Sequence, residues 1–238
     1  MKPHPIALSL IWFTSMAQGG QPFGDAIHPG VPQQIPGPVF FAYYDEGGEG
    51  VAYHDTGKAN QGSGNLNPAN GTYLHEFRRH EGVDTSYTKQ VPDLESASNK
   101  IVPPLSLLYV GWTEAGEWFK LTVQAAEAGP YTADLLYTAH NDAGISFAIN
   151  DSPVAVPCTL TSTFDAADPI AWRQWHHWNT ARDAVTLTLP KGISVIKVKV
   201  VSGGNINLAT LAFRPAGMER KGPLITELKT ALPPVTKP

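Results

Sequence analysis

Through the middle of this chain the apolar residues fall on every second position, and that period decides what the chain can fold into. In residues 117–123, Phe119, Leu121 and Val123 share one face of an extended strand, while Trp118, Lys120 and Thr122 share the other. A helix would scatter the same residues around its circumference and leave no apolar stripe. Residues 131–138, 144–149, 184–189 and 194–201 follow the same rule, each bounded by Gly, Pro, Asn or Asp. In the last, Val195, Lys197 and Lys199 oppose Ile196, Val198 and Val200, and Leu189-Pro190-Lys191-Gly192 supplies the turn before it. Short strands at roughly ten-residue spacing predict an all-β protein, a sandwich of the jelly-roll type.

The 22 Gly and 21 Pro among 238 residues are too few for a disordered chain and suit the turns that many strands need. A single cysteine, Cys158, excludes an internal disulfide and a zinc ribbon, so packing must supply stability; within its strand-like run it reads as an inert core thiol. With 17 Lys and Arg against 21 Asp and Glu, a net charge of -4 and no long basic run, nucleic acid is not an expected partner.

At the amino terminus, Lys2 precedes an apolar run over residues 6–16, with Ser15 and Ala17 spaced as signal peptidase prefers. The run suits a signal-peptide core and is too short to span a membrane. Residues 1–17 are therefore expected to be a leader, with export to the periplasm or the medium and no membrane insertion. Residues 18–34, rich in turn formers, read as a linker, 35–214 as the β-sandwich, and 215–238 as a loose tail with one short helix over 224–232. Two long polar insertions, 57–72 and 89–104, are expected to flank whatever the domain binds.

Aromatic residues are the strongest functional signal. Trp172-Arg173-Gln174-Trp175-His176-His177-Trp178 places indoles on both faces of an extended segment, and both faces cannot be core. An exposed indole suits the C–H face of a pyranose ring, with polar side chains taking its hydroxyls. The acidic run of residues 45–50 lacks the alternating ligands of a calcium loop, and adjacent His176 and His177 diverge too far for a shared metal. Glu81 and Asp84 would serve as a glycosidase pair only at a suitable separation across a cleft. No serine-hydrolase elbow, phosphate loop or dinucleotide fingerprint is present. A small glycoside hydrolase or lyase, or an envelope adhesion module, are the alternatives to a pure binding role.

Ile35-Pro36-Gly37, residues 44–55 (YDEGGEGVAYHD), Glu81-Gly82-Val83-Asp84, residues 110–118 (VGWTEAGEW) and Gly129-Pro130-Tyr131 together resemble carbohydrate-binding module family 6, over about residues 35–214. The resemblance implies a jelly-roll sandwich that binds polysaccharide without cleaving it, usually beside a secreted glycoside hydrolase. Carried over residue by residue, it makes Phe77 and Trp175 the aromatic platforms, Glu81 the hydroxyl acceptor beside Phe77, and Asn207 a sugar-binding amide, with Trp178 in the core. Phe77 stands where the family has Tyr, so a phenol hydrogen bond is lost. Phe40, Ala42 and Ala209 stand where the family's structural calcium draws oxygen ligands, so that calcium is expected to be absent or weak, with apolar packing in its place. The expected ligand is a β-glucan, xylan or agar-type glycan, bound by a monomer without catalytic residues or a functional metal.

Overall fold

A computed structural model describes residues 20–154 and 156–220. Its strands are β1 (Gln33–Ile35), β2 (Gly37–Phe40), β3 (Tyr53–His54), β4 (Ser63–Gly64), β5 (Asn67–Pro68), β6 (Thr85–Tyr87), β7 (Leu108–Val110), β8 (Trp118–Ala125), β9 (Gly129–Ala139), β10 (Ala143–Ile149), β11 (Ser152–Pro153), β12 (Cys158–Leu160), β13 (Asn179–Leu189), β14 (Gly192–Ser202) and β15 (Ile206–Pro215). One sheet runs β1-β8-β14-β10-β11, with β3 on β8 and β12 on β10; the other runs β13-β9-β15-β7-β6, with β2 on β15. The long strands β8, β9, β10, β13, β14 and β15 alternate between the two sheets, which is the winding of a jelly roll. The turn at residues 189–192 accordingly carries the chain across the sandwich from β13 to β14 and closes no hairpin.

Each predicted strand segment falls on an observed strand, with Glu117 alone lying just ahead of β8. Between the sheets, Leu121, Val123, Leu135, Ile145, Phe147 and Val198 meet in the main core. Cys158 is buried there, and burial pushes its thiol up. The alternation breaks in one place: Leu136, Tyr109 and Ala209 are apolar on the outward face of the β13–β6 sheet. Bare apolar surface of that kind must be covered, and Phe23, Phe40, Tyr43, Leu107 and Trp178 close over it as a second cluster.

Two expected boundaries are corrected by this packing. Residues 20–34 are not a free linker. Gln21 and Glu46 exchange backbone hydrogen bonds of 2.9 and 2.7 Å. Phe23 is buried, and the Gln33 carboxamide bonds the backbone of Phe40 on both sides. Turn-forming composition reports on local conformation, and single anchor residues still find their grooves. At the other end, Arg214 and Arg220 both reach the buried Asp134 carboxylate, Arg220 at 2.7 and 3.0 Å, so the chain is held through Arg220. The expected leader over 1–17 and the helix over 224–232 lie outside the described residues.

Candidate binding site

Phe77 precedes β6 and follows the short helix α1 (Tyr73–Glu76). Its ring is 3% exposed and packs against Phe23, Tyr43 and Tyr73 at centroid distances of 5.4 to 6.1 Å. The expected platform is thus covered, because the segment read as a linker lays Phe23 on it. Trp175 contacts a separate set of rings, His140 and His176, so no sandwich of Phe77 and Trp175 forms around a common groove. Beside Phe77 a pocket of about 370 Å³ is lined by Phe23, Asp25, Glu46, Tyr73, Glu76 and Arg78.

Glu81 is committed to structure. The Arg78 guanidinium lies 3.5 Å over the Tyr44 ring and donates to the carbonyls of Tyr44 and Asp45 at 2.6 and 3.0 Å and to Glu81 at 2.9 Å. The Tyr44 hydroxyl donates to the same Glu81 oxygen at 3.0 Å. This buried cation, charge-assisted on three oxygens, fixes the loop around residue 78, whose φ of 51° is left-handed. Asp84 accepts the Gln61 amide at 2.5 Å; its carboxyl is pushed up to about 6 by burial and by Glu117 and Glu114. Asp55, half-buried and under the negative charge of Glu117, rises to about 7.

Asn207 on β15 is 1% exposed, and its amide nitrogen donates to Thr138 on β9 at 2.8 Å. Its carbonyl oxygen faces Gly111, where a Cβ would approach to 2.6 Å. It is a cross-strand clamp inside the sheet's outer cover, and the assignment to sugar is corrected accordingly. Phe40, Ala42 and Ala209 pack together in the same cluster, so the positions the resemblance links to calcium offer it no side-chain oxygen. Among the described residues no group of three His, Cys, Asp or Glu side chains could hold a metal.

Exposed aromatics gather instead on the loop ahead of β13. Trp172, in a 3-10 turn (Ala171–Arg173), is 57% exposed, and Phe164 is 47% exposed. Trp175 is half-buried; His140 sits edge-on to both Phe164 and Trp175, at 5.7 and 6.1 Å. Trp178 alone among the loop's indoles is fully buried.

The insertion over 89–104 braces this ledge. The buried Asp93 accepts the Trp178 indole N–H at 3.1 Å and the Lys89 amide at 2.8 Å, and the His176 ring lies 3.0 Å from the carboxylate, off the line of a good hydrogen bond. Burial pushes the Asp93 carboxyl up, but His176, the Lys89 amide and the Trp178 indole outweigh it and hold it below the ordinary value. Asn99 accepts the Trp178 amide at 2.8 Å, and the Lys100 amide donates to the Trp178 carbonyl at 2.9 Å. Ser96 meets His177 at 2.9 Å, and Ser98 donates to Asp165 at 2.7 Å. Below Trp172, Arg173 grips Asp168 through two nitrogens at 2.7 and 3.1 Å. A loop so tied presents its indoles at little ordering cost on binding. Phe164 and His140 were not among the residues that the sequence singles out; the signal was an aromatic isolated in a polar turn, Ser162-Thr163-Phe164-Asp165, with no periodic partner to bury it.

No family model matches this chain, and no curated protein matches it in sequence. Among solved structures it is similar to a family 35 carbohydrate binding module from Clostridium thermocellum, at 18% identity over 56% of this chain and 88% of that one, with a TM-score of 0.39. It is also similar to CsCBM6-3 from Clostridium stercorarium, solved with cellobiose, at 10% identity over 79% of this chain and 99% of that one, TM-score 0.44. A cycloalternan-forming enzyme from Listeria monocytogenes, solved with a pentasaccharide substrate, matches at 18% identity over 56% of this chain but 11% of its own, TM-score 0.38. All three similarities are remote, and the fold assignment stands on the strand pairing itself.

Proposed function

We propose that this chain is a non-catalytic polysaccharide-binding module in which a pyranose ring stacks on Trp172 and the exposed part of Trp175, with Phe164 extending the surface for a neighbouring unit. Export, carried by the expected leader, belongs to the same reading. The observation that carries the proposal is the 57% exposure of Trp172 on a loop held by the buried Asp93 and Asp168 and the half-buried Asn99. An exposed indole is costly to keep in water, and its flat apolar face with one N–H matches a sugar's axial C–H face and hydroxyls. Gln174 and Asp165 on the same loop are half-buried polar side chains, tied to the carbonyls of Ala166 and Asp168 and to Ser98 respectively. The state of Glu81 favours binding over cleavage, because this carboxylate is neutralised by Arg78 and hydrogen-bonded by Tyr44.

Electrophoresis through gels containing β-glucan, xylan or agar tests this. Each stacked ring contributes about 1 kcal/mol beyond its buried area, so Trp172→Ala should weaken retention on the responding glycan about fivefold or more, with the melting temperature unchanged. Retention equal to wild type on every glycan that binds would overturn the ledge. Release of reducing sugar by the purified protein would overturn the non-catalytic reading.

A further inference from the structure

Asn70-Gly71 is the only Asn-Gly pair in the chain and lies at the end of the polar insertion over 57–72. Both residues are exposed, and the ledge does not use them. Their conformation is nevertheless fixed from both sides. Ahead of them, the buried Asn67 donates to Ser86 at 3.0 Å, and the His75 ring meets the Pro68 carbonyl at 2.9 Å. Behind them the chain enters α1, where the Glu76 amide donates to the Thr72 carbonyl at 3.1 Å. Gly71 has a φ of 79°, a left-handed value natural to glycine, and a Cβ there would meet no atom within 4 Å. Gly71 thus brings no side chain of its own between its nitrogen and the Asn70 carboxamide.

Three groups converge on this pair. The Gly71 N–H donates to Glu76 Oε1 at 2.6 Å. Arg79 holds the other Glu76 oxygen at 3.2 Å, so the carboxylate is kept on the amide proton. On the carboxamide side, Asn70 Oδ1 accepts the Thr72 amide at 3.0 Å and the Thr72 hydroxyl at 2.6 Å. A base on the nucleophile's proton and two donors on the carbonyl oxygen are what attack on an amide requires. The base takes the proton as the new bond forms, and the donors hold the charge that gathers on oxygen. Nucleophile and electrophile belong to adjacent residues, so no encounter has to be arranged.

We propose that Asn70 is a self-modification site, at which the fold converts the asparagine through a cyclic imide into aspartate or isoaspartate, with Glu76 as the base and Thr72 as the oxyanion donor. The Gly71 nitrogen bonds to Asn70 Cγ while its proton passes to Glu76. The bond from Cγ to the side-chain nitrogen then breaks, Glu76 returns the proton to that nitrogen, and ammonia leaves. Solvent water opens the imide at either carbonyl. Gly71 and Thr72 line the pocket of about 370 Å³ beside Phe77, so a new carboxylate arises at the rim of a cavity that already holds Asp25, Glu46 and Glu76. Nothing in this chemistry depends on the ledge or on a sugar. Freshly purified whole protein would be aged at neutral pH, native and unfolded in urea, with ammonia release measured and the products mapped by peptide mass spectrometry and an isoaspartate methylation assay. The native protein should deamidate at Asn70 at least about tenfold faster than the unfolded chain, and ahead of the exposed Asn65, Asn141 and Asn150. Glu76→Gln keeps an acceptor for the Gly71 amide but no base, and should slow the native rate at least about tenfold. Thr72→Val removes one of the two donors and should slow it about tenfold. Neither should alter the rate in urea. A native rate equal to or below that in urea would overturn the proposal, and this comparison stands even where a variant fails to fold. So would a native rate indifferent to Glu76→Gln in a protein that melts like wild type; indifference to Thr72→Val alone would overturn the oxyanion role.

Discussion

Asp93→Asn is the sharpest test of how the ledge is held. One carboxylate oxygen accepts the Trp178 indole N–H and the other the Lys89 amide. An asparagine can satisfy one of these donors, but its NH₂ must then face the other, leaving a buried donor unpaired. That costs about 1–3 kcal/mol, with the upper part expected because the lost acceptor is ionised. With a urea m value near 2 kcal/mol/M, the unfolding midpoint should fall by about 1 M with m unchanged. The main-chain bonds from Trp178 to Asn99 and Lys100 remain, so the variant should still fold. Acid supplies a second arm. The Asp93 pKa is held below its ordinary value of 3.8 in the fold, so its contribution is present above that value and lost as pH falls through the lower, folded one. The gap between wild type and variant should therefore narrow below about pH 4. A midpoint within about 0.3 M of wild type, or a gap that stays constant into acid, would refute the reasoning.

Gly111→Ala should cost about 2 kcal/mol from overpacking against Asn207, and Asn207→Ala in the same chain should recover part of it; strictly additive melting shifts would count against the clash. Asp55 has a raised pKa of about 7, so its ionised form is disfavoured in the fold and stability falls as pH rises from about 4 toward 7. Asp55→Asn should accordingly gain more over wild type at pH 8 than at pH 5 in thermal melts, and an equal or reversed difference would contradict this. Phe23→Ala, by opening the cover over Phe77 and Tyr43, should lower stability by about 2–3 kcal/mol and hasten proteolysis near residue 20; unchanged cleavage would mean that the segment contributes little.

The sheet strands were legible because each long one has a core face with a two-residue period, whereas the alternation showed only that the indoles lie on two faces, and the core place of Trp178 came from the family resemblance alone. The covering of Phe77 was not legible. It depends on Phe23, a lone aromatic in a stretch of Gly and Pro whose docking partner lies more than fifty residues away. Asn207 looked available because sequence shows an amide on a strand but not that Gly111 and Thr138 close around it. An ion pair of Glu81 with Arg78 was readable from their three-residue separation, but only the fold adds Tyr44. The ledge was half visible: the run of indoles announced an exposed face, while the brace from Asp93 and Asn99 requires knowing which loop lies beneath.

The alternation of long strands between sheets also bears on how the chain reaches this state. Val198 meets Phe119 and Leu211 meets Leu135, so two of the principal ladders join partners nearly eighty residues apart, and the β9–β13 and β10–β14 ladders join partners about fifty apart. Loop-closure entropy comes due before such ladders return any stabilisation. Refolding from urea should accordingly be slow for a protein of this size, and unpaired edges exposed meanwhile make dilute conditions favour recovery over aggregation.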